Sequence, residues 1–279
     1  MCNSPDRIWV YDANAIKAAA PDAVLATQPV QKTIMSIEFN ELIGIAFDGQ
    51  NNLWVASFAA NQIVEISAAS LATDIPTVTN TLPSSPDSPV ALAFDSDGSL
   101  WVAGQFDTGI VLNLPADQLD QGAGAVPRYC ISNNVQCGLA NHPNDLFKDV
   151  EGLALFNGKI WVANNGGNMP GRELVALRVE AGALVVDTVF GSQAQGTGAV
   201  VCPGGLFATT QHLWVNDQGF NDPNTTCGST DADRGSAVGA VLRFTQPQLD
   251  NQTTDPTQIV RFSSITGRPG FGGIFVEGD

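Results

Sequence analysis

All five tryptophans of this 279-residue chain stand in one three-residue frame: Ile or Leu, then Trp, then Val. The frames lie at residues 8–10, 53–55, 100–102, 160–162 and 213–215. A residue this rare does not recur in one frame by chance, so the chain repeats a single structural unit. That unit constrains the fold more tightly than any other feature of the sequence.

Each unit predicts four short antiparallel strands, which we call A to D in chain order. Strand A is apolar, and strand B carries the tryptophan. Turns such as 95–98 and Asn157-Gly158 join them, because Asn-Gly between apolar runs accepts positive φ. Strand C is predicted at 62–66, 109–112, 174–177 and 241–244, and a weaker strand D at segments such as 77–79 and 184–187. The pattern predicts an all-β fold, a β-propeller of four-stranded antiparallel blades.

The chain is interpreted as one propeller domain over residues 1–279, with B strands at Trp54, Trp101, Trp161 and Trp214. Residues 7–36 match strands C and D of a closing blade, and residues 270–279 match a strand A. About five blades are therefore visible. Either the ring closes imperfectly with five, or the chain is part of a six-bladed ring, and the missing strand B favours the second interpretation.

The amino-acid composition limits the classes of partner and the cellular compartments that we expect for this protein. The chain has 12 basic and 28 acidic residues and a net charge of −16, which disfavours nucleic acids and anionic lipid surfaces. It has no apolar run of about 20 residues, so no membrane span is expected. We expect an extracytoplasmic protein that is secreted, periplasmic or lipid-anchored on a bacterial surface, as a monomer or as a module of a longer chain.

Four of the five cysteines form two plausible pairs. Cys130 and Cys137 bracket a short polar loop, whereas Cys202 precedes a strand A and Cys227 follows strand B of the same unit. In a blade, the D-to-A and B-to-C connections emerge on one face, which we call the top face. Disulfides 130–137 and 202–227 are therefore predicted, which implies an oxidising compartment. Buried free thiols are the alternative.

The unit at 91–103, Ala-Leu-Ala-Phe-Asp-Ser-Asp-Gly-Ser-Leu-Trp-Val-Ala, resembles NHL-type repeats and the wider gluconolactonase-like and virginiamycin-B-lyase-like propellers. The turns at 67–71 and 245–249 are most similar to those of secreted bacterial NHL-repeat proteins. Gluconolactonase-like enzymes hold a divalent ion at the mouth of the channel through Glu, Asn and Asp. Glu151 matches their first-strand Glu-Gly, but the other units have Ile43, Val90, Gly204 and Gly272 there.

Three long loops gather on the top face, and binding residues concentrate on loops carried by a rigid scaffold. The predicted ligand-binding residues are Asn164, Asn165, Asp217, Phe58, Phe106 and Phe220. Ca²⁺ or another divalent cation prefers oxygen ligands, and the candidate ligands are Asp145, Asp149, Glu151, Asn165 and Asp217. The alternatives are that the polar residues only build solvated turns and that the aromatic residues only fill space between blades.

The leading prediction is a non-catalytic propeller that binds a small molecule or a protein through its top-face loops. The alternative is a metal-dependent hydrolase, lactonase or lyase, with Glu151 and His142 as the candidate catalytic residues.

Overall fold

A computed structural model describes residues 6–12, 30–83, 88–105, 109–132, 147, 149–165, 173–191, 200, 202–217, 240–251, 256 and 258–261. These residues form four antiparallel four-stranded sheets and one two-stranded sheet. The predicted all-β propeller is thereby confirmed. No helix in this part of the chain is long and apolar enough to cross a membrane.

The four complete blades follow one another along the chain, each in the order A to D. Blade 1 contains β3 (Leu42–Phe47), β4 (Leu53–Ser57), β5 (Gln62–Ile66) and β6 (Asn80–Pro83). Blade 2 contains β7 (Pro89–Phe94), β8 (Leu100–Gly104), β9 (Ile110–Leu114) and β10 (Tyr129–Ser132). Blade 3 contains β11 (Val150–Phe156), β12 (Lys159–Asn164), β13 (Glu173–Glu180) and β14 (Ala183–Phe190). Blade 4 contains β15 (Pro203–Ala208), β16 (His212–Asp217), β17 (Ala240–Thr245) and β18 (Gln258–Arg261).

Short elements complete the described part of the chain. The strands β1 (Arg7–Tyr11) and β2 (Val30–Met35) pair with each other and pack on blade 1, where Ile34 joins an apolar cluster with Leu53 and Val55. Two helices, α1 (Ala68–Leu71) and α2 (Gln246–Asp250), and a 3-10 helix at Ala116–Gly124 follow three of the C strands. The predicted strand A at 270–279 lies outside the described residues.

The inner strands β3, β7, β11 and β15 are neighbours in that order around the axis. Glycine permits two of these close approaches. A Cβ on Gly44 would lie 2.5 Å from the carbonyl oxygen of Val90, and one on Gly152 would lie 2.4 Å from that of Gly204. The backbones of adjacent blades therefore touch at these points.

The core lies between adjacent blades, so the B strands are buried on both faces. In β12, Trp161 packs in a cluster with Leu213 of blade 4, whereas Ile160 packs in a cluster with Trp101 of blade 2. This arrangement explains why apolar residues are continuous along strand B and do not alternate with polar ones. The tryptophans at 54, 101, 161 and 214 are 0–8% exposed.

The turns between strands A and B in blades 1 and 2 differ from those in blades 3 and 4. The predicted Asn157-Gly158 turn is present, with φ of 50° and 72°. In blades 1 and 2, an aspartate at the start of the turn accepts a hydrogen bond from the indole nitrogen, from Trp54 to Asp48 at 3.0 Å and from Trp101 to Asp95 at 2.9 Å. In blades 3 and 4, Phe156 and Thr209 occupy that position. The two indole N–H groups there are buried without a partner in the described part of the chain.

One strand boundary differs from the prediction. Residues 77–79 precede β6. The amide nitrogen of Thr79 still donates to the carbonyl oxygen of Glu65 in β5 at 2.8 Å, but other polar atoms of this segment bond around α1. The amide nitrogen of Thr77 donates to the Ser70 hydroxyl at 2.7 Å, and the Thr79 hydroxyl accepts from the amide nitrogen of Ser67 at 3.1 Å. Side chains that bond to a nearby helix terminus compete with the ladder of a sheet.

Candidate functional site

The last residue of strand B fixes the backbone that leads into strand A of the same blade. The amide nitrogen of Asn40 donates to the Ser57 hydroxyl at 2.9 Å in blade 1. The corresponding bonds run from the Asp149 amide to Asn164 Oδ1 at 3.5 Å and from the Cys202 amide to Asp217 Oδ1 at 2.8 Å. Asn164 and Asp217, both predicted to bind ligand, therefore each have a structural role as well.

The residue after strand B also has a repeated environment. The amide nitrogens of Phe58, Gln105 and Asn165 donate to carbonyl oxygens two positions before the bulge of strand A. The three distances are 3.0 Å to Glu41, 2.9 Å to Ser88 and 2.7 Å to Asp149. The backbone geometry is thus shared by three blades, whereas the side chains differ in chemistry.

Gln105 joins blade 2 to two carboxylates of blade 3. Its Nε2 donates to Asp149 Oδ1 and to Glu151 Oε1, the latter at 3.1 Å. Glu151 lies at the bulge of β11 and is 9% exposed. Burial raises the pKa of Asp149, and the hydrogen bond from Gln105 partly opposes that rise. The inner end of this blade seam therefore holds two acidic groups bridged by a neutral amide.

The two other seams contain different chemistry at the same repeat positions. Phe58 is partly buried against the apolar cluster that contains Val90, so the seam between blades 1 and 2 is apolar there. In blade 4, the residue equivalent to Val90 and Glu151 is Gly204, which has no side chain. Of the predicted aromatic residues, Phe58 packs at this seam, and its predicted contact with a ligand stays a prediction. Phe106 and Phe220 lie outside the described residues.

The structure brings together Asp149, Glu151 and Asn165 among the predicted metal ligands. Asp145 and His142 lie outside the described residues. No group of three or more His, Cys, Asp and Glu side chains within the described ranges is placed to hold a metal ion. Here the carboxylates come from blade 3 alone, and blade 2 directs amide hydrogens towards them. These residues by themselves do not fit a divalent ion that is shared between blades.

The structure describes one cysteine of each predicted disulfide. Cys130 is 8% exposed in β10, and Cys202 is 2% exposed directly before β15. Cys137 and Cys227 lie outside the described residues, so both pairings stay predictions.

Gln105 is the functional candidate that sequence reasoning missed. It stands four residues after Trp101, as Phe58 and Asn165 stand four residues after their own tryptophans. Comparison of that position between units would have identified it as the polar counterpart of Phe58.

The chain is similar in structure to several solved proteins. One is a virginiamycin B lyase from Staphylococcus aureus, at 17% identity and a TM-score of 0.44 over 81% of this chain and 56% of the lyase. Another is a gluconolactonase from Xanthomonas campestris, at 16% identity and a TM-score of 0.45 over 79% of this chain and 61% of that protein. A functionally unknown protein from Desulfotomaculum acetoxidans has 11% identity and a TM-score of 0.50 over 95% of this chain and 80% of its own.

These similarities concern the fold alone and establish no activity. The chain spans little more than half of the lyase, 56%, and 61% of the gluconolactonase. No protein-family model and no curated protein matches the sequence.

Proposed function

We propose that this protein is a non-catalytic, extracytoplasmic propeller that binds the cationic group of a small molecule or a protein on its top face. The observation that carries the proposal is the pair of neighbouring carboxylates, the half-buried Asp149 and the buried Glu151, which both accept a hydrogen bond from the neutral amide of Gln105.

The physical basis is the cost of burying an acidic group. A carboxylate removed from water loses solvation energy unless a positive charge or hydrogen bonds compensate it. The raised pKa of Asp149 reflects that loss, because burial outweighs the Gln105 hydrogen bond. A cationic group beside the two carboxylates would lower the cost. The net charge of −16 would also raise the local concentration of cations.

The proposal includes the compartment. Disulfides 130–137 and 202–227 would strengthen the loops that surround the top face, and they would form in an oxidising compartment. Mass spectrometry of the non-reduced, digested protein tests the two pairings directly.

A metal-dependent hydrolase, lactonase or lyase is the second candidate. It is supported by the position of Glu151 immediately before Gly152, which matches the Glu-Gly of gluconolactonase-like propellers. Ca²⁺ or another divalent cation would then be held by Glu151 with Asp149 and Asn165, together with ligands beyond the described residues. His142 would be the candidate proton acceptor.

Calorimetry with spermidine, Ca²⁺, Mg²⁺ and Zn²⁺ distinguishes the two candidates. The binding proposal expects saturable heat with an organic cation that is lost in Glu151→Gln. Glu41→Gln is the matched control, since Glu41 occupies the repeat position of Asp149 in blade 1 and is exposed. Metal binding accompanied by hydrolysis of a lactone would favour the enzyme. Absence of heat with every cation would contradict both candidates.

A further inference from the structure

Gln105 and Asp149 face each other across the seam between blades 2 and 3 from fixed backbone positions. The amide nitrogen of Gln105 donates to the carbonyl oxygen of Ser88 at 2.9 Å, and the carbonyl oxygen of Asp149 accepts from the amide nitrogen of Asn165 at 2.7 Å. Glu151 is buried at the bulge of β11, two residues further along the chain. The backbone thus presents the three side chains to one another at the inner end of this seam.

The Gln105 amide directs its nitrogen, and not its oxygen, at the two carboxylates. Nε2 donates to Asp149 Oδ1 and to Glu151 Oε1, the latter at 3.1 Å. An amide nitrogen carries two hydrogen atoms, so this one group can supply both bonds. The opposite orientation would place the amide oxygen against two acidic oxygens, which repel it. The nitrogen therefore occupies the position between the carboxylates that a cation would take.

A divalent ion in this position requires different ligands. The resemblance to gluconolactonase-like propellers implies an ion held by oxygen atoms, and Ca²⁺ binds about six to eight of them at roughly 2.3–2.6 Å. Gln105 offers N–H hydrogens where such an ion needs an oxygen, and its nitrogen fills the space that the ion would occupy. The side chains that meet here therefore do not fit the ion that the resemblance implies.

We propose that Gln105 determines the ion specificity of this seam: its amide replaces a divalent ion between Asp149 and Glu151, and a carboxylate in its place would create a Ca²⁺ site. That carboxylate would add oxygens from blade 2 to those of blade 3, giving about six carboxylate oxygens in one cluster. The inference stands apart from the proposed binding of an organic cation. It opposes the second candidate function, in which the natural chain holds the metal at these carboxylates.

The repeat shows that this position accepts other side chains. Phe58 and Asn165 occupy it in blades 1 and 3, and their amide nitrogens make the same backbone bond as Gln105. The backbone of the blade therefore does not depend on a glutamine there. Without a metal ion, Gln105→Glu brings three carboxylates together, and their mutual repulsion destabilises the folded state. The stability of this variant should consequently depend on Ca²⁺.

Calorimetry with Ca²⁺ and thermal unfolding of the full chain test the inference. We expect Gln105→Glu to bind Ca²⁺ at least about tenfold more tightly than the parent chain, and to unfold at a lower temperature in EDTA than in Ca²⁺. The double variant Gln105→Glu/Glu151→Gln should lose this gain, because it removes one of the three carboxylates. Equal Ca²⁺ affinities of Gln105→Glu and the parent chain would overturn the inference. Ca²⁺ binding by the parent chain that is lost in Glu151→Gln would overturn it as well.

Gln50→Glu is the matched control. Gln50 is exposed in the turn between β3 and β4, so this substitution changes the net charge equally without adding a carboxylate to the seam. An equal gain of Ca²⁺ affinity in the control would assign the effect to net charge and refute the specificity role. Should Gln105→Glu not fold even in Ca²⁺, Gln105→Ala decides the question. It removes the amide from between the carboxylates, so it should bind Ca²⁺ more tightly than the parent chain, and an unchanged affinity would overturn the inference.

The outcomes separate this inference from the proposed function. If spermidine binds the parent chain through Glu151 while Gln105→Glu gains no Ca²⁺ affinity, the inference fails and the proposed function stands. If Gln105→Glu gains Ca²⁺ affinity while the parent chain binds no organic cation, the proposed function fails and the inference stands.

Discussion

The substitution Gly152→Ala tests the propeller at the contact between two inner strands. β11 and β15 meet where Gly152 faces backbone of blade 4, and the added methyl group would have no room. Its Cβ would lie 2.4 Å from the carbonyl oxygen of Gly204, 2.9 Å from the amide nitrogen of Leu206 and 3.1 Å from the Cα of Gly205.

The expected cost follows from these distances. Non-bonded heavy atoms normally approach to roughly 3.5 Å, so the two strands would have to separate by about 1 Å. Overpacking of a core usually costs about 1–3 kcal/mol. All three opposing atoms belong to backbone and cannot rotate away, which places Gly152→Ala near the upper end, at about 3 kcal/mol.

Urea unfolding followed by tryptophan fluorescence measures the loss of stability. Gly49→Ala is the matched control, because a Cβ at Gly49 would meet nothing within 4 Å. We expect that control to stay within about 0.5 kcal/mol of the parent chain. If Gly152→Ala is as stable as Gly49→Ala, the inner strands are not in contact and the order of blades around the axis is wrong.

Three further predictions concern the free energy of unfolding in urea. Asp48→Ala should cost about 1–3 kcal/mol because it leaves a buried indole N–H unpaired, and the exposed Asp74→Ala should cost nothing measurable; equal effects would contradict this role. Asp149→Asn should gain stability relative to the parent chain as pH rises above about 4, because burial raises the pKa of Asp149 and penalises its ionised form in the folded state only; a difference independent of pH would refute the reasoning. Asp187→Asn should lose less than about 1 kcal/mol, because the hydrogen bond from Lys159 lowers the pKa of Asp187 near the surface. That contribution is present above the ordinary pKa, disappears as pH falls and is screened in 1 M NaCl, so an effect that persists in high salt would contradict it.

Periodicity was sufficient to predict the blades. Each interior tryptophan lies in the middle of a B strand that is covered on both faces, which favours apolar residues there. The turn at Asn157-Gly158 was predictable from the positive φ that both residues accept. These features depend on residues that are close together in the chain, so they can be predicted from the sequence.

The site was less accessible to the same reasoning, because its contacts join different blades. Gln105 bonds to carboxylates 44 and 46 positions away, and nothing in its own segment marks it. Conversely, Asn164 and Asp217 look like ligand-binding residues, yet their side-chain oxygens accept bonds from the backbone of their own blades. An amide or a carboxylate serves either purpose, so residue type alone could not separate the two roles.

Comparison of equivalent positions between the repeated units helps to separate structural residues from candidate binding residues. At the inner end of each seam the backbone bonds are the same in three blades, so stability does not require any one side chain there. The side chains at this position nevertheless differ: Phe58 packs on the cluster that contains Val90, and Gln105 donates to Glu151. Asn165 is the third residue at this position, and its buried Oδ1 has no partner among the described residues. This variation on a constant backbone explains why comparison of equivalent positions between the units, and not residue type alone, identifies the seam of Gln105 as the candidate site.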